Sequence, residues 1–422
     1  MDHQESASVS FEELAGTPLG SIDLLGRQRW KPTGAKGTKG IQSAFARIER
    51  NKFKFKSLSC WSYNISVGCR HGCRFCYVVS SQHTRPGKKQ ENLGPLATSL
   101  REFGVLDPDL DWGKYVLFRP WDEKKFMASL RTAEKTPLSK LNADGNRAVI
   151  FCSTTDPYQT IVIKDDPQKQ NLLNHHARFL VRRALELILE HSTLNVRILT
   201  RSPLAIKDFD LYKQFGNRLI FGMSIPTLRQ DLLDVYEPQA PGAQARLRTL
   251  RAAAEKEIPL FVAVAPTYPD LGDDDIREVL MTIKSLHPLT IFHEPINIRA
   301  ENVERIAAHA KELGVPVRTD VFANASTWRN YAVDQLRAVQ RIARELEIED
   351  HLHLWPDKTL RTEQRFLNAR REAWKAANPN PRETTYQRRK RREADGAEYL
   401  KFSAWLAHWH QRISEWPGKK PL

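Results

Sequence analysis

Cysteine is scarce in this sequence, and long apolar stretches are missing. The 422 residues include only five cysteines, whereas a small secreted protein held by disulfides carries more of them in a shorter chain. No apolar run reaches the length needed to cross a bilayer. The acidic first residues, MDHQESASVSFEEL, lack the apolar core of a signal peptide. We therefore expect a cytoplasmic protein with no membrane partner.

Acidic residues are too few to balance the basic ones. Lysine and arginine number 65 against 50 for aspartate and glutamate, which gives a formal net charge of +15. Such an excess favours polyanionic partners, nucleic acids among them. A basic enzyme with no nucleic-acid role has the same composition, so that alternative stays open.

Apolar runs separated by helix-length amphipathic segments fill the middle of the chain. Six runs stand out, namely CWSYNISV, AVIFC, LNVRIL, RLIFGM, PLFVAV and LTIFHE, and VPVRTDV is a candidate for a seventh. Runs that are apolar on both faces are typical of parallel strands covered by helices. About six strand and helix units predict an α/β fold, a partial or open barrel with its active site after the carboxyl ends of the strands.

Composition divides the chain into three predicted regions. Residues 1–58 are an N-terminal extension, in which the alternating KFKFK of residues 52–56 suits a strand. Residues 59–320 form the barrel. Residues 321–422 are a helical, basic C-terminal extension that carries RRKRR at residues 388–392.

Aromatic residues are interleaved with the basic ones in this last region. They are Trp374, Tyr386, Tyr399, Trp405, Trp409 and Trp416. Basic side chains neutralise phosphates and aromatic rings stack on exposed bases, so we expect this region to contact nucleic acid. The alternative is a solvated basic helix whose aromatic residues pack against the barrel.

Three of the five cysteines lie within eight residues, in the motif CRHGCRFCY directly after the first run. Thiolates of Cys69, Cys73 and Cys76 can bind three irons of a four-iron, four-sulfur cluster and leave the fourth iron open to a small ligand. Gly68 and Gly72 are expected to let the backbone wrap closely around such a cluster.

Zinc is the main alternative for these cysteines. A structural zinc site requires four tetrahedral ligands, and His71 or Cys60 could supply the one that the motif lacks. The gaps of three and then two residues between the cysteines differ, however, from the paired spacing of zinc-binding motifs. An iron–sulfur cluster is therefore the expected occupant.

The cysteine motif resembles that of the radical S-adenosylmethionine superfamily, in which three cysteines have this spacing and an aromatic residue precedes the third. Here the aromatic residue is Phe75. The resemblance implies that S-adenosylmethionine chelates the open iron, and that an electron from the reduced cluster cleaves it to methionine and a 5'-deoxyadenosyl radical. That radical would abstract hydrogen from a substrate. An external electron donor, flavodoxin-like or ferredoxin-like, is implied as well.

Five further segments resemble, in order and spacing, the spore photoproduct lyase group and the related DNA repair photolyases. They are STTDPYQ (153–159), LTRSPL (199–204), FGMSI (221–225), YEPQAPGAQARLRTLR (236–251) and VAVAPTYP (262–269). With the cysteine motif, the resemblance spans about residues 59–300. It implies a partial (β/α)6 barrel of the radical S-adenosylmethionine type.

The same resemblance implies which residues bind S-adenosylmethionine. Phe75 and Tyr77 would flank it, Thr155 and Asp156 would lie near its methionine portion, Arg201 would lie near its carboxylate, and Ser224 would face its ribose. Arg201 stands where the group has a lysine, which keeps the charge and changes the geometry. Ordinary structural roles are the alternative, since an aspartate before a proline often begins a turn.

Further polar residues are expected around the barrel mouth. Arg246 should pair with Glu237 and fix the loop that contains this glutamate. The segment HEPINIR ends the last apolar run, which predicts that Glu294, Asn297 and Arg299 point at the mouth.

One departure from spore photoproduct lyase concerns the hydrogen donor. That lyase has a cysteine two residues before its Ser-Asp pair, whereas the matching residue here is Ser153, and a hydroxyl O–H bond is too strong to replace a thiol. The adjacent Cys152 is expected to face the helical layer, because successive strand side chains point to opposite faces. We predict a buried Cys152 and no repair of spore photoproduct by this route.

Three functions remain open from the sequence. The first is a radical enzyme that acts on nucleic acid, by DNA repair or RNA modification. The second is a radical maturase of a peptide, a protein or a small metabolite, against which the lack of a second cysteine-rich region counts. The third is a non-catalytic, metal-containing nucleic-acid-binding protein.

Overall fold

The computed structural model describes residues 21–23, 28–29, 45–51, 58–80, 105, 109–141, 145–163, 166–299, 301–357, 359–360 and 364–395. The KFKFK segment and the aromatic residues Tyr399, Trp405, Trp409 and Trp416 lie outside these described residues. No helix in the described ranges is both long enough and apolar enough to cross a membrane.

Two sheets contain the twelve strands found in the described ranges. Numbered along the chain, the strands are Ser21–Asp23 (β1), Gln28–Arg29 (β2), Ile48–Arg50 (β3), Trp61–Tyr63 (β4), Ser66–Val67 (β5), Tyr115–Phe118 (β6), Ala148–Phe151 (β7), Asn195–Thr200 (β8), Leu219–Ser224 (β9), Leu260–Thr267 (β10), Thr290–Pro295 (β11) and Leu352–Leu354 (β12). The larger sheet has the order β3-β4-β7-β8-β9-β10-β11-β12, and the smaller one has the order β2-β1-β6-β5.

Parallel pairing dominates the larger sheet. Every neighbouring pair from β4 to β12 is parallel, and only β3 at one end is antiparallel to its neighbour. The smaller sheet is antiparallel and includes β5, the strand that leads directly into the cysteine loop. In sequence, the cysteine loop therefore comes directly after the chain has passed from β4 of the larger sheet to β5 of the smaller one.

Ten helices accompany the strands in the part of the chain that the structure describes. They are Glu123–Glu134 (α1), Pro167–His191 (α2), Phe209–Gln214 (α3), Gln230–Tyr236 (α4), Ala243–Glu255 (α5), Asp273–Lys284 (α6), Asn302–Leu313 (α7), Ala325–Glu345 (α8), Gln364–Ala377 (α9) and Thr385–Ala394 (α10). At least one helix lies between consecutive parallel strands from β7 to β12, as the strand and helix repeat predicts. Helix α6 begins with three acidic residues, which favour a helix amino terminus.

The two faces of the parallel sheet bury different sets of side chains. Phe151, Ile198 and Phe221 pack in the large core that includes the helices. Their strand neighbours point to the other face, where the buried cluster consists of Leu58, Ile150, Ile220, Phe261, Ala263, Leu289, Phe292 and Trp355. Alternation along each strand thus gives the barrel a packed interior and a helix-covered exterior.

The predicted α/β partial barrel is confirmed, with a correction to its last strand. VPVRTDV is not a strand: residues 315–319 are irregular, and the backbone N–H of Arg318 donates to Asp270 (2.6 Å) instead of joining the sheet. The place beside β11 belongs to β12, which pairs Leu352 with Ile291. The larger sheet thus includes strands from both sides of the expected boundaries at 58 and 320, and the three-region division itself stays a prediction.

Candidate functional site

The cysteine loop lies after β5 and is closed by its own backbone. Cys69 and Cys73 are buried and Cys76 is half-buried. The N–H of Gly72 donates to the carbonyl of Cys69 (3.3 Å), and the N–H of Cys76 donates to that of Cys73 (3.1 Å). These short turns gather three soft thiol ligands on one loop, which is the donor set that iron–sulfur clusters use.

The arrangement of the possible ligand side chains determines whether a single metal ion or an iron–sulfur cluster fits the site. Among the described residues, no three His, Cys, Asp or Glu side chains converge closely enough to hold a single metal ion. A four-iron cluster makes a different demand, because each cysteine binds a separate iron. His71, considered above as a zinc ligand, has its Nδ1 3.4 Å from a carboxylate oxygen of Asp156.

The glycines of the motif shape the cysteine loop through their backbone conformation, while their predicted closeness to a cluster stays a prediction. Gly68 and Gly72 adopt φ values of +85° and +57°, which side chains rarely tolerate. A Cβ on Gly68 would lie 2.3 Å from the carbonyl oxygen of Tyr115, and one on Gly72 would lie 3.1 Å from the Cα of Gly113. Their lack of a side chain lets the loop turn and pack against the segment leading into β6.

Burial controls the ionisation of the three thiols. It is the largest influence on each, and it raises the pKa of Cys69, Cys73 and Cys76 to about 12. Nearby negative charge adds to this effect at Cys69, where Asp156 is the main contributor. The thiols therefore stay protonated at neutral pH until a cation displaces their protons, as metal binding requires.

Thr155 and Asp156 connect the loop after β7 to its surroundings. The hydroxyl of Thr155 donates to the carbonyl of Gly68 (2.7 Å) and so holds the start of the cysteine loop. Asp156 accepts hydrogen bonds from the hydroxyl of Thr200 (2.7 Å) and the backbone N–H of Arg201 (2.8 Å) at the end of β8. Both residues lie beside the cysteines, while their proposed contact with S-adenosylmethionine stays a prediction.

Arg201 belongs to a buried ion-pair chain. Its Nε donates to one oxygen of Glu237 (3.0 Å), and Arg246 donates through Nη2 to the other oxygen. The predicted pairing of Arg246 with Glu237 is confirmed. Arg246 also donates to the carbonyls of Pro241 (2.6 Å) and Ser224 (2.9 Å), so it ties the loop to the end of β9.

The remaining predicted cofactor residues are linked to the same loops. The ring of Phe75 lies 5.7 Å from the guanidinium of Arg201. Tyr77 is half exposed, and its hydroxyl donates to the carbonyl of Ser153 (2.5 Å). Ser224 is buried at the carboxyl end of β9. These contacts thus bring all six predicted residues to the ends of β7, β8 and β9, and their binding role stays a prediction.

The three residues expected at the barrel mouth separate into two groups. Asn297 and Arg299 donate to the same oxygen of Asp357, at 2.7 Å each, and so join the loops after β11 and β12. Glu294 is half-buried near the carboxyl end of β11.

Sequence reasoning missed two polar residues of this region. Asn64 accepts hydrogen bonds through Oδ1 from the N–H and the hydroxyl of Thr154, both at 3.0 Å, and contacts the Ser153 hydroxyl. Tyr268 packs against Phe75, with ring centroids 5.9 Å apart. Asn64 lies within the first apolar run and Tyr268 within VAVAPTYP. Each residue is therefore part of a segment already identified, but nothing in the sequence distinguishes it from its neighbours as a functional residue.

Cys152 is buried, as predicted, but for another reason. Strand β7 ends at Phe151, and Cys152 has a φ of +61°. The alternation of strand side chains therefore no longer applies at this residue. The left-handed backbone leaves Cys152 in the core that contains Phe151 and the helices.

Two proteins of unknown activity are similar to this chain in sequence. No family model matches the chain. The uncharacterized protein ORF301 of Acidianus two-tailed virus is 31% identical over 252 residues, which are 58% of this chain and 70% of the viral protein. The uncharacterized protein MJ0683 of Methanocaldococcus jannaschii is 23% identical over 280 residues, which are 66% of this chain and 85% of that protein.

Solved structures with the same fold are more informative. Spore photoproduct lyase complexed with dinucleoside spore photoproduct matches with a TM-score of 0.50 and 12% identity, over 74% of this chain and 80% of the lyase chain. At this identity the likeness concerns the fold. It confirms the partial α/β barrel fold that the motifs imply, which is the fold of spore photoproduct lyase.

Proposed function

Because the chain belongs to the family of the viral protein ORF301 and has the barrel fold of spore photoproduct lyase, we propose that it is a radical S-adenosylmethionine enzyme of the lyase or transferase type. One observation carries this proposal. Three thiols on a single loop lie at the carboxyl ends of parallel strands, beside the cationic side chain of Arg201. That is the edge at which barrels of parallel strands place their chemistry.

In this activity, individual residues of the chain would have the following roles. Cys69, Cys73 and Cys76 would hold the cluster. Together with S-adenosylmethionine, the bound cluster supplies a carbon-centred radical that abstracts hydrogen. Arg201 would orient the carboxylate of S-adenosylmethionine through Nη1 and Nη2, since its hydrogen bond to Glu237 uses Nε. Phe75 would cover the site against water.

Iron analysis of anaerobically purified protein tests the proposal. We expect about four irons per chain, a matching amount of labile sulfide and a brown colour. Replacing Cys69, Cys73 or Cys76 by Ala should abolish both the cluster and the cleavage of S-adenosylmethionine. Cys60→Ala and Cys152→Ala are the matched controls and should keep the cluster. One tightly bound zinc without labile sulfide would refute the proposal.

The proposed substrate is nucleic acid. The net charge of +15 supports it, as does the exposed ring of Tyr386 on α10, which leaves 70% of its surface accessible. Arg389 and Lys390 lie one turn further along α10 and are exposed as well. An exposed ring beside two cations suits an unpaired base and its phosphates. Spore photoproduct lyase, whose fold the chain shares, has been solved in complex with dinucleoside spore photoproduct.

Turnover with added nucleic acid tests the substrate class. The reduced protein should consume S-adenosylmethionine faster when DNA or RNA is added than when a peptide mixture is added. Electrons would come from an external flavodoxin-like or ferredoxin-like protein, and dithionite can replace it in the assay. Equal consumption under all conditions would argue against a nucleic-acid substrate while leaving the iron result untouched.

A further inference from the structure

Gln159 is a buried glutamine that contacts the start of the cysteine loop. It lies in the loop after β7, and only 2% of its surface is exposed. Its Oε1 accepts from the backbone N–H of Arg70 (2.7 Å), and its Nε2 donates to the hydroxyl of Thr155 (2.8 Å). Both polar ends of this buried amide therefore have partners, as burial requires.

These contacts hold the backbone on both sides of Cys69. The hydroxyl of Thr155 donates its own hydrogen to the carbonyl of Gly68 (2.7 Å). That carbonyl belongs to the peptide unit before Cys69, and the N–H of Arg70 belongs to the peptide unit after it. Gln159 thus fixes the second unit directly and the first one through Thr155.

The chemistry of the amide suits this arrangement, because the side chain has to accept at one end and donate at the other. A carboxylate of the same length only accepts, and methionine has no N–H donor. Ser66 on β5 joins the same network. Its hydroxyl lies 3.2 Å from Nε2 of Gln159 and 3.2 Å from the hydroxyl of Thr155.

Other residues hold the second half of the cysteine loop. The backbone N–H of Arg74 donates to the carbonyl of Tyr236 (2.9 Å) at the end of α4. The carbonyl of Arg74 accepts from Nε and Nη2 of Arg305 on α7, at 3.1 and 2.9 Å. Removing the amide of Gln159 should therefore loosen the loop around Cys69 and leave it unchanged around Arg74.

We propose that Gln159 is a positioning residue that holds Cys69 in its cluster-binding orientation before iron binds. The inference rests on the proposed function, in which Cys69 is one of the three iron ligands. A ligand that is already oriented loses less conformational entropy on binding. Removing a side chain that orients a metal ligand typically lowers metal affinity about 10–100-fold.

Loss of the cluster to an iron chelator, followed by absorbance under anaerobic conditions, tests this role. Gln159→Met keeps the length of the side chain and removes the amide, so the cluster should be lost roughly tenfold faster than from the wild type. Gln170→Met is the matched control and should lose its cluster at the wild-type rate. Oε1 of Gln170 also accepts from a backbone N–H, that of Ile163 (2.8 Å), which lies outside the cysteine loop.

Hydrogen exchange of the metal-free protein supplies a second measurement. The amide of Arg70 should exchange faster in Gln159→Met than in the wild type, whereas the amide of Arg74 should exchange at the same rate in both. Equal acceleration at the two amides would show general loosening and overturn the inference. Cluster loss at the wild-type rate from Gln159→Met, or equally fast loss from Gln170→Met, would overturn it too.

Variants of Thr155 decide the question if Gln159→Met does not fold. Thr155→Val removes the hydroxyl with little change of shape, and Thr155→Ser keeps it. Cluster loss should be fast in Thr155→Val and close to the wild-type rate in Thr155→Ser, and equal rates in the two variants would contradict the inference. A wild-type protein that binds no iron would instead refute the proposed function itself.

Discussion

Glu237 links the cysteine loop to the barrel through two opposite charges. It is fully buried, and burial alone would raise its pKa. Arg201 and Arg246 outweigh burial and lower the pKa to about 2. The carboxylate is thus ionised at neutral pH, and it compensates two guanidinium groups that would otherwise be poorly solvated.

Glu237→Gln should therefore destabilise the protein strongly. Removing one partner of a buried ion pair typically costs about 3–5 kcal/mol, because the remaining charge is left uncompensated. Urea unfolding monitored by circular dichroism would measure the loss. Glu312→Gln is the control, since Glu312 is exposed and pairs with His309 (3.0 Å), and it should change little. Equal stability of the two variants would contradict this account.

The same carboxylate makes stability depend on pH. Its pKa in the folded protein, about 2, lies below the ordinary value of 4.5, so the unfolded chain binds the proton first as the solution is acidified. The stabilisation is complete above pH 4.5 and is lost as the pH falls towards 2. Urea titrations across this window should show the advantage of wild type over Glu237→Gln shrinking with acid.

Cys152 should be dispensable for any radical chemistry. Its thiol is buried in the core, and burial is the main reason that its pKa lies well above the usual value. We expect no efficient repair of a dithymine spore lesion by the wild type, and unchanged activity of Cys152→Ala on its own substrate. Lesion repair that is strong in the wild type and absent in Cys152→Ala would show this prediction to be wrong.

At the level of residues, chemistry was easier to predict than position. The cluster-binding role of the three cysteines stays a prediction, whereas the Glu237–Arg246 pair is recognisable because a buried carboxylate needs a cation beside it. Tyr268 and the left-handed Cys152 are not, because their surroundings depend on loops distant in sequence.

Strand β9 shows how closely the interior of the barrel is packed. A Cβ on Gly222 would lie 2.4 Å from the ring of Phe261 on β10. Gly222→Ala should therefore force the ring to move, at a cost of about 1–3 kcal/mol. Thermal unfolding of the variant measures this loss.

Two further variants make the test specific. Phe261→Leu makes room for the methyl group, so Gly222→Ala should cost less in that background, which a double-mutant cycle would detect. Gly272→Ala is the control, because its Cβ would meet only a carboxylate oxygen at 3.8 Å. Additive effects of Gly222→Ala and Phe261→Leu would contradict the packing argument.

The elements themselves were largely predictable from their apolar pattern. The apolar runs in the middle of the chain correctly predicted the parallel strands from β7 to β11. The last strand was not predictable, since VPVRTDV and HLHLW are both short segments that mix apolar with polar residues. The segment that pairs with β11 becomes the strand. Which of the two segments does so depends on the path that the chain takes through the long connection containing α7 and α8.

The basic C-terminal helix contributes to the whole molecule in two ways. Arg391 pairs with Glu383 (2.9 Å) and stacks over Trp374 at 4.6 Å, so it holds α9 against α10. Trp374 is also fixed by a hydrogen bond to Asp395 (2.9 Å). These contacts favour a packing role for Trp374 and Arg391. Arg389 and Lys390 are exposed to solvent, and both pair with Glu393.

Neutralising all five cations of residues 388–392 should weaken nucleic-acid binding, but Arg391 would add a structural effect. The sharper variant is Arg389→Gln with Lys390→Gln. Its affinity for DNA and RNA should fall, and the slope of log affinity against log salt should decrease by roughly two. Fluorescence anisotropy at several salt concentrations provides the measurement.

A second double variant controls for net charge. Lys124→Gln with Lys135→Gln removes two exposed charges, one on α1 and one directly after it, and should leave affinity and salt slope nearly unchanged. Cleavage of S-adenosylmethionine without substrate should be the same in both double variants. If Arg389→Gln with Lys390→Gln binds as tightly as wild type, α10 is not a nucleic-acid contact.

Strand β12 matters for how the protein can be shortened. It covers the outer backbone of β11, and a chain cut at residue 320 would expose that row of N–H and C=O groups to other chains. Open strand edges of this kind recruit further strands and lead to aggregation. Leu360 is fully buried, so a shortened protein should retain it. Cutting from residue 364 onwards would remove α9 and α10 and keep every strand pairing of the barrel.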